Sequence, residues 1–139
     1  MNENQVFETA LEIAVGAHKG ATDQSGMPYI LHPIAVAAKL NSLKLKTIAI
    51  LHDVIEDTDI DADYLLGKGI PKDVVDVVVL LSKPEDESYE SYLRRVKENP
   101  LAKAVKLADL AHNTDPSRAS GLNDARREKY ELAKRVLAE

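Results

Sequence analysis

The chain has 139 residues, of which 45% are hydrophobic, and this length suits one domain spanning residues 1–139 with a core that needs no disulfides. It contains no cysteine, so any metal ion would have to be held by histidine nitrogen and carboxylate oxygen. The net charge of −5 argues against nucleic acid as the main partner, because such binding depends on clustered lysine and arginine.

The N-terminal segment is predicted to form an amphipathic helix. Val6, Ala10, Ile13, Ala14 and Ala17 recur at the spacing of one helical face. The segment MNENQVFETALEIAV carries acids instead of a basic stretch, so it does not resemble a secretory signal peptide. No apolar run approaches the roughly 18 residues of a membrane span. We therefore expect a cytoplasmic protein without a membrane partner.

Residues 21–30 are predicted to form a loop, because ATDQSGMPYI is dense in glycine, proline, serine and aspartate. A second helix is predicted after this loop, with Pro33 in its first turn and Ile34, Ala37, Ala38 and Leu40 at helical spacing. The same periodicity continues through most of the chain. The predicted fold is all-α, a single compact bundle of about eight short helices.

The segment DVVDVVVLL, residues 73–81, presents a conflict between propensity and pattern. Its β-branched run would suit a buried strand. It follows Pro71, however, no second strand is predicted to pair with it, and helical spacing places Val74, Val77, Val78 and Leu81 on one face. We predict a helix here.

Two polar clusters lie within apolar segments. In ILHDVIEDT, a helix would stack Glu56 on His52 and Asp57 on Asp53, four residues apart. Such charged groups are costly to bury unless they have partners, and a metal ion is one such partner. Taken alone, however, an HD dipeptide is usually a surface or capping pair.

The second cluster, KLADLAHNT, places Asp109, His112 and Asn113 at helical spacing. Asp109 could simply pair with Lys106, and His112 could lie outside the site's direct contacts. His18, at the end of the first predicted helix, suits an interaction with the helix dipole better than a role as a ligand.

The order of these motifs resembles the H…HD…D signature of the HD metal-dependent phosphohydrolases. AHKG, SGMPYILHPIAVAAKL, AILHDVIEDT and KLADLAHNT together resemble the hydrolase domain of SpoT-type (p)ppGpp hydrolases, including their small stand-alone form. The resemblance runs from about Ala17 to the C terminus. It implies an HD-domain helical bundle that hydrolyses the 3′-diphosphate of (p)ppGpp.

The resemblance also implies roles for individual residues. The family's metal ligands fall on His32, His52, Asp53 and Asp109, a nitrogen and oxygen donor set that suits Mn²⁺ and does not exclude other divalent transition metals. The acid pair thought to act on the attacking water falls on Glu56 and Asp57. The implied substrate contacts are Lys19, Asn113, Arg126 and Tyr130.

The sequence departs from the family in the loop before SG. Asp23 and Gln24 stand where the family usually has two basic residues that contact the nucleotide. An acid there would repel a polyanion, so we expect less efficient hydrolysis of ppGpp. Two alternatives stay open: an HD phosphohydrolase that acts on another nucleotide or phosphorylated small molecule, and a non-catalytic nucleotide-binding module.

Overall fold

The computed structural model describes residues 1–115, 118 and 123–139. The helices in these residues are α1 (Glu3–Ala17), α2 (Leu31–Ala38), α3 (Leu43–Leu51), α4 (Val54–Asp57), α5 (Ala62–Gly67), α6 (Lys72–Leu80), α7 (Tyr89–Lys97), α8 (Pro100–Asn113) and α9 (Asp124–Ala138). Helix α4 is a single turn, so eight longer helices remain, as predicted. The described residues contain no strand beyond one isolated bridge between Thr22 and Pro28. The all-α prediction is confirmed.

The helices are short, and polar caps define where most of them begin. The longest, α1 and α9, have 15 residues each. No helix in the described part of the chain combines the length and hydrophobicity needed to cross a membrane. Side-chain oxygens accept hydrogen bonds from first-turn N–H groups at six helices, where the caps are Asn2, Ser42, Asp61, Ser88, Asn99 and Asn123.

The β-branched segment is helical, as predicted. Helix α6 begins directly after Pro71, and the predicted face of Val74, Val77, Val78 and Leu81 is buried. Burial of this face outweighs the modest helix propensity of valine, which costs only about 0.5 kcal/mol per residue. Tertiary packing therefore decides the conformation of this segment.

Helix α3 lies at the centre of the fold. Its last five residues, 47–51, are all buried, as expected for a helix surrounded by other elements. It packs against α1, α2, α6 and α8. The end of α3 therefore places the next residue, His52, in the interior of the bundle.

The HD motif does not lie within one uninterrupted helix. Helix α3 ends at Leu51, and α4 begins at Val54, so the prediction that the ligands and the acid pair share one helix is wrong. His52 and Asp53 form a short link between the helices, although Asp57 N–H still donates to the Asp53 carbonyl oxygen at 2.9 Å. The link carries the two predicted ligands, and α4 carries the acid pair.

Candidate active site

The four predicted metal ligands come together from three segments of the chain. His32 lies in the first turn of α2, His52 and Asp53 link α3 to α4, and Asp109 lies on the buried face of α8. His32, His52 and Asp109 are buried, and Asp53 is partly buried. The fold thus gathers polar side chains in an otherwise apolar interior.

The distances within this cluster are those of groups that face a common point. The ligand atoms of His32, His52 and Asp109 all lie within 4.8 Å of one another. His32 Nε2 is 2.7 Å and His52 Nε2 is 3.4 Å from Asp109 Oδ1. Asp53 Oδ2 lies 3.2 Å from His52 Nε2 and 4.0 Å from His32 Nε2. Asp53 therefore borders the three-residue group.

This arrangement fits a divalent metal ion. Two ligands that bind one ion at about 2.0–2.3 Å are themselves roughly 3–4.5 Å apart. His52 Nε2 is buried and makes no hydrogen bond to any described residue, whereas Nδ1 donates to the Ala49 carbonyl oxygen at 2.5 Å. A carbonyl partner on Nδ1 leaves Nε2 as the nitrogen available to a metal.

The electrostatics of the cluster favour a cation. Burial alone would lower the pKa of His52, but the carboxylates of Asp53 and Asp109 outweigh it and raise this pKa to about 9. Burial alone would raise the pKa of Asp109, yet Lys106 and the two histidines hold it well below its usual range. The buried carboxylate of Asp109 is thus stabilised as an anion, and a divalent ion would stabilise it as a proton on His52 does.

Further contacts hold the carboxylate ligands in place. The Tyr29 hydroxyl donates to Asp53 Oδ2. Lys106 Nζ lies 3.1 Å from Asp109 Oδ2, so the predicted ion pair exists alongside the ligand position. Asn113 Nδ2 donates to Asp109 Oδ1 at 3.4 Å. Contacts of this kind fix the orientation of metal ligands.

The two remaining histidines differ in their positions. His112 Nδ1 lies 2.7 Å from His32 Nδ1, and the two rings are stacked with centroids 5.0 Å apart. His18 ends α1, and its buried ring lies 5.0 Å from that of Tyr29. Burial lowers the pKa of His18, which disfavours the charged form that an interaction with the helix dipole would require.

The cluster opens into a cavity of about 360 Å³, a volume typical of small-molecule sites. Three of the four predicted substrate contacts line its wall, namely Asn113, Arg126 and Tyr130. Lys19 is exposed and lies outside the described lining, so its predicted role has no support from the geometry. The predicted catalytic acids also line the cavity: Glu56 and Asp57.

The two acids have different surroundings. Glu56 Oε1 accepts a hydrogen bond from the Lys83 backbone N–H at 2.7 Å, which fixes its carboxylate against the loop after α6. Asp57 is exposed as a whole residue, but its carboxyl group is partly desolvated in the cavity wall. This desolvation, followed by the charges of Asp53 and Glu56, raises the pKa of Asp57 to about 6.

Asp23 lines the cavity, but its carboxylate also closes the loop. Asp23 Oδ1 accepts hydrogen bonds from Ser25 N–H at 2.9 Å, Ser25 Oγ at 2.8 Å and Met27 N–H at 3.0 Å. The hydrogen bonds from Ser25 and Met27 lower the pKa of Asp23, with a smaller contribution from Arg118. The acid that departs from the family pattern therefore stabilises the loop.

The cavity also contains residues that the sequence did not single out as functional. Four of them supply positive charge or an aromatic surface: Tyr89, Lys106, Arg118 and Lys129. Helical spacing could have identified two, because Lys106 precedes Asp109 by three residues and Lys129 follows Arg126 by three. Tyr89 and Arg118 come from other segments and carry no such signal.

Comparisons with known proteins identify homologues of this chain. No protein-family model matches the chain. The bifunctional (p)ppGpp synthase/hydrolase SpoT of Escherichia coli K12 is 37% identical over 128 residues, which cover 80% of this chain and 18% of that protein. The guanosine-3′,5′-bis(diphosphate) 3′-pyrophosphohydrolase of Borreliella burgdorferi is 35% identical over 128 residues, covering 80% and 19%. The chain thus spans less than a fifth of the length of these relatives.

A solved structure gives a match over nearly the whole chain. It is described as a metazoan ortholog of SpoT that hydrolyses ppGpp and plays a role in starvation responses. The TM-score is 0.74 at 28% sequence identity, and the match covers 94% of this chain and 83% of the other. The resemblance seen in the sequence is confirmed: the chain is a homologue of the SpoT-type (p)ppGpp hydrolases and has their all-helical HD-domain fold.

Proposed function

We propose that this chain is a metal-dependent hydrolase that removes the 3′-diphosphate of (p)ppGpp as pyrophosphate and leaves GDP or GTP. The observation that carries the proposal is that a buried His–His–Asp cluster opens into a cavity lined by further acids and by four cationic side chains. The names of the relatives and of the metazoan structure support the choice of substrate.

His32, His52 and Asp109, with Asp53 beside them, would hold the metal ion. We propose Mn²⁺, because two imidazoles and two carboxylates suit it, although the same donors accept other divalent transition metals. When bound, the ion would neutralise charge on the phosphate and activate a water molecule. The contribution of the chain is to keep the donors fixed, through contacts such as that between Lys106 and Asp109.

Glu56 and Asp57 would act on the attacking water and its proton. Glu56 is tied to the Lys83 N–H group, so we assign it the orientation of the water. Asp57 has a pKa raised to about 6, which lets its carboxylate accept a proton near neutral pH and release it afterwards. Both act from α4, directly beside the ligand Asp53.

The substrate contacts follow from the cavity wall. Asn113 contacts Asp109 and lines the cavity, so its amide would meet the sugar next to the ligand cluster. Arg126 and Tyr130, four residues apart on α9, would meet a phosphate and the nucleotide's ring surfaces. For Lys19, only the resemblance supports a contact.

The test is a substrate screen with purified, Mn²⁺-loaded protein. The panel contains ppGpp, pppGpp, other nucleotides and phosphorylated small molecules, and chromatography follows the products. We expect GDP and pyrophosphate in equal amounts from ppGpp, and no release by an Asp109→Ala preparation purified in parallel. Turnover of another compound with ppGpp inert would favour the general phosphohydrolase. Binding of ppGpp without turnover under Mn²⁺, Fe²⁺ and Zn²⁺ would favour the non-catalytic module.

A further inference from the structure

Two cations of the cavity wall have no carboxylate partner among the described residues. Arg118 and Lys129 both line the cavity, and neither lies within 4.0 Å of an acidic oxygen of any described residue. This differs from Lys106, which is paired with Asp109 at 3.1 Å. Their positive charges are therefore available to a ligand that enters the cavity.

Lys129 lies against an aromatic ring of the cavity wall. Its Nζ lies 4.7 Å from the centroid of Tyr89, and Lys106 Nζ lies 5.8 Å from the same centroid. Burial, followed by repulsion from Lys106, lowers the pKa of Lys129, and the more distant carboxylates of Glu56 and Asp109 act in the opposite direction. Lys106 and Lys129 thus lie beside the Tyr89 ring, and among the described residues only Asp109 forms an ion pair with either of them. One positive charge is left unmatched there, and a bound anion would stabilise it.

Arg118 lies beside His112. Its Nη1 is 3.4 Å from His112 Nδ1, and His112 in turn contacts the predicted ligand His32. Arg118 helps to lower the pKa of Asp23, but the carboxylate of Asp23 already accepts the hydrogen bonds that close its loop. The Arg118 guanidinium therefore lines the cavity without an ion pair to any acid that the structure describes.

We propose that Arg118 and Lys129 bind phosphate groups of the nucleotide at two places in the cavity wall. In this chain they would take over the anion recognition that Asp23 and Gln24 cannot supply from the loop. A substrate with two separate diphosphates presents anions at two places, which matches two cations that contact different neighbours in the cavity wall, Tyr89 for Lys129 and His112 for Arg118. The identity of the ligand rests on the proposed function, whereas the anion-binding role rests on the cavity itself.

The variants Arg118→Gln and Lys129→Gln test this proposal, with Arg127→Gln as a matched control. Arg127 lies on the same helix as Lys129, is exposed and does not line the cavity. In the Mn²⁺-loaded full chain we expect each cavity variant to raise KM for ppGpp about tenfold, as for loss of one charge-assisted hydrogen bond, with a smaller change in kcat. Lys129→Arg should keep most of the affinity, because it keeps the charge.

A second measurement separates this inference from the proposed function. Binding of ppGpp to chelator-treated protein, measured by equilibrium dialysis, needs no turnover. We expect both cavity variants to bind about tenfold more weakly than wild type and Arg127→Gln, with a difference that shrinks as salt shortens the Debye length. This result together with no hydrolysis would reject the proposed function and support the anion site. Equal affinity of all variants, or no binding by wild type, would overturn the inference.

Discussion

His32 Nδ1 and His112 Nδ1 lie 2.7 Å apart, so one of these nitrogens must carry a hydrogen and the other must accept it. Burial, and after it the charges of His32 and Arg118, lowers the pKa of His112 and favours a neutral, accepting ring. His32 then donates from Nδ1 and presents Nε2 to Asp109 and the ligand cluster. This contact assigns His112 a positioning role that its place in the sequence did not reveal.

The first prediction is that His112 controls metal affinity through His32. His112→Phe removes the acceptor and leaves His32 Nδ1–H unpaired, and partners of this kind typically contribute about 10- to 100-fold in metal affinity. Titration calorimetry with Mn²⁺ should show a weaker Kd in this range. His112→Asn, which retains an acceptor oxygen, should lie between Phe and wild type. Identical affinities in all three proteins would remove the positioning role.

The second prediction separates ligands from catalytic acids. Asp53→Ala should lose bound metal and activity together, because Asp53 borders both histidines of the cluster. Glu56→Gln and Asp57→Asn should retain the metal and lose about 10²-fold or more in kcat, as expected for acid–base groups. Metal content and kcat measured on the same preparations provide the check. Equal metal loss in all three variants would contradict a separate role for the acid pair.

The third prediction concerns protons released by metal binding. The raised pKa of His52, about 9, means that the metal-free ring is protonated at pH 7.5, whereas a metal requires the neutral ring. Binding of Mn²⁺ at pH 7.5 should therefore release about one proton, and the affinity should rise with pH until the pH approaches 9. Calorimetry in two buffers of different ionisation enthalpy counts the protons. Release near zero at pH 7.5 would mean that His52 is neutral without the ion.

The raised pKa of His52 also determines how the stability of the metal-free protein depends on pH. A folded-state pKa above the unfolded value of about 6.5 stabilises the fold fully at low pH, and this contribution is lost as the pH rises through about 9. Between pH values of about 6.5 and 9, chelator-treated protein should therefore lose the part of its stability that protonated His52 contributes. The Mn²⁺-loaded protein should lose less stability there, because the bound ring carries no titratable proton.

The sequence was sufficient to predict the helical class and a polar cluster inside an apolar segment, for a physical reason. His52 and Asp53 follow a helix whose last residues are apolar, so they suggested either a surface pair or buried groups with a compensating partner, and the resemblance to the family favoured the second. The helix of residues 73–81 was likewise predictable, because its four inward positions share one face. In both cases the residue type and its spacing contain the information.

Other features depend on packing that spacing alone does not determine. The pattern in α2 suggested Ile34 as a core residue, yet Ile34 is 41% exposed, while Val36 is fully buried. This helix is apolar on most sides, so its rotation is set by the inward position of His32 and Pro33. Among the cations of the cavity wall, Arg118 was equally inaccessible, because no residue pattern places it beside the predicted ligands.

The last prediction concerns Asp23, whose carboxylate stabilises its loop but would repel an anionic substrate. Asp23→Asn retains the oxygen that accepts from Ser25 and Met27, and it removes the negative charge from the cavity wall. The carboxylate is solvent-exposed, and unit charges about 8 Å apart in water interact weakly, so KM for ppGpp should fall only about two- to threefold. Raising the salt should reduce this gain, because exposed charges are screened.

Two further variants distinguish charge from loop structure. Gln24→Lys adds a positive charge without touching the hydrogen bonds of Asp23, so it should also lower KM. Asp23→Ala removes the charge and the acceptor together, and the unpaired N–H groups of Ser25 and Met27 should loosen the loop and offset the electrostatic gain. If Asp23→Asn raised KM while Gln24→Lys left it unchanged, the loop would contact the substrate through Asp23 itself, and repulsion would not be the reason for the departure from the family pattern.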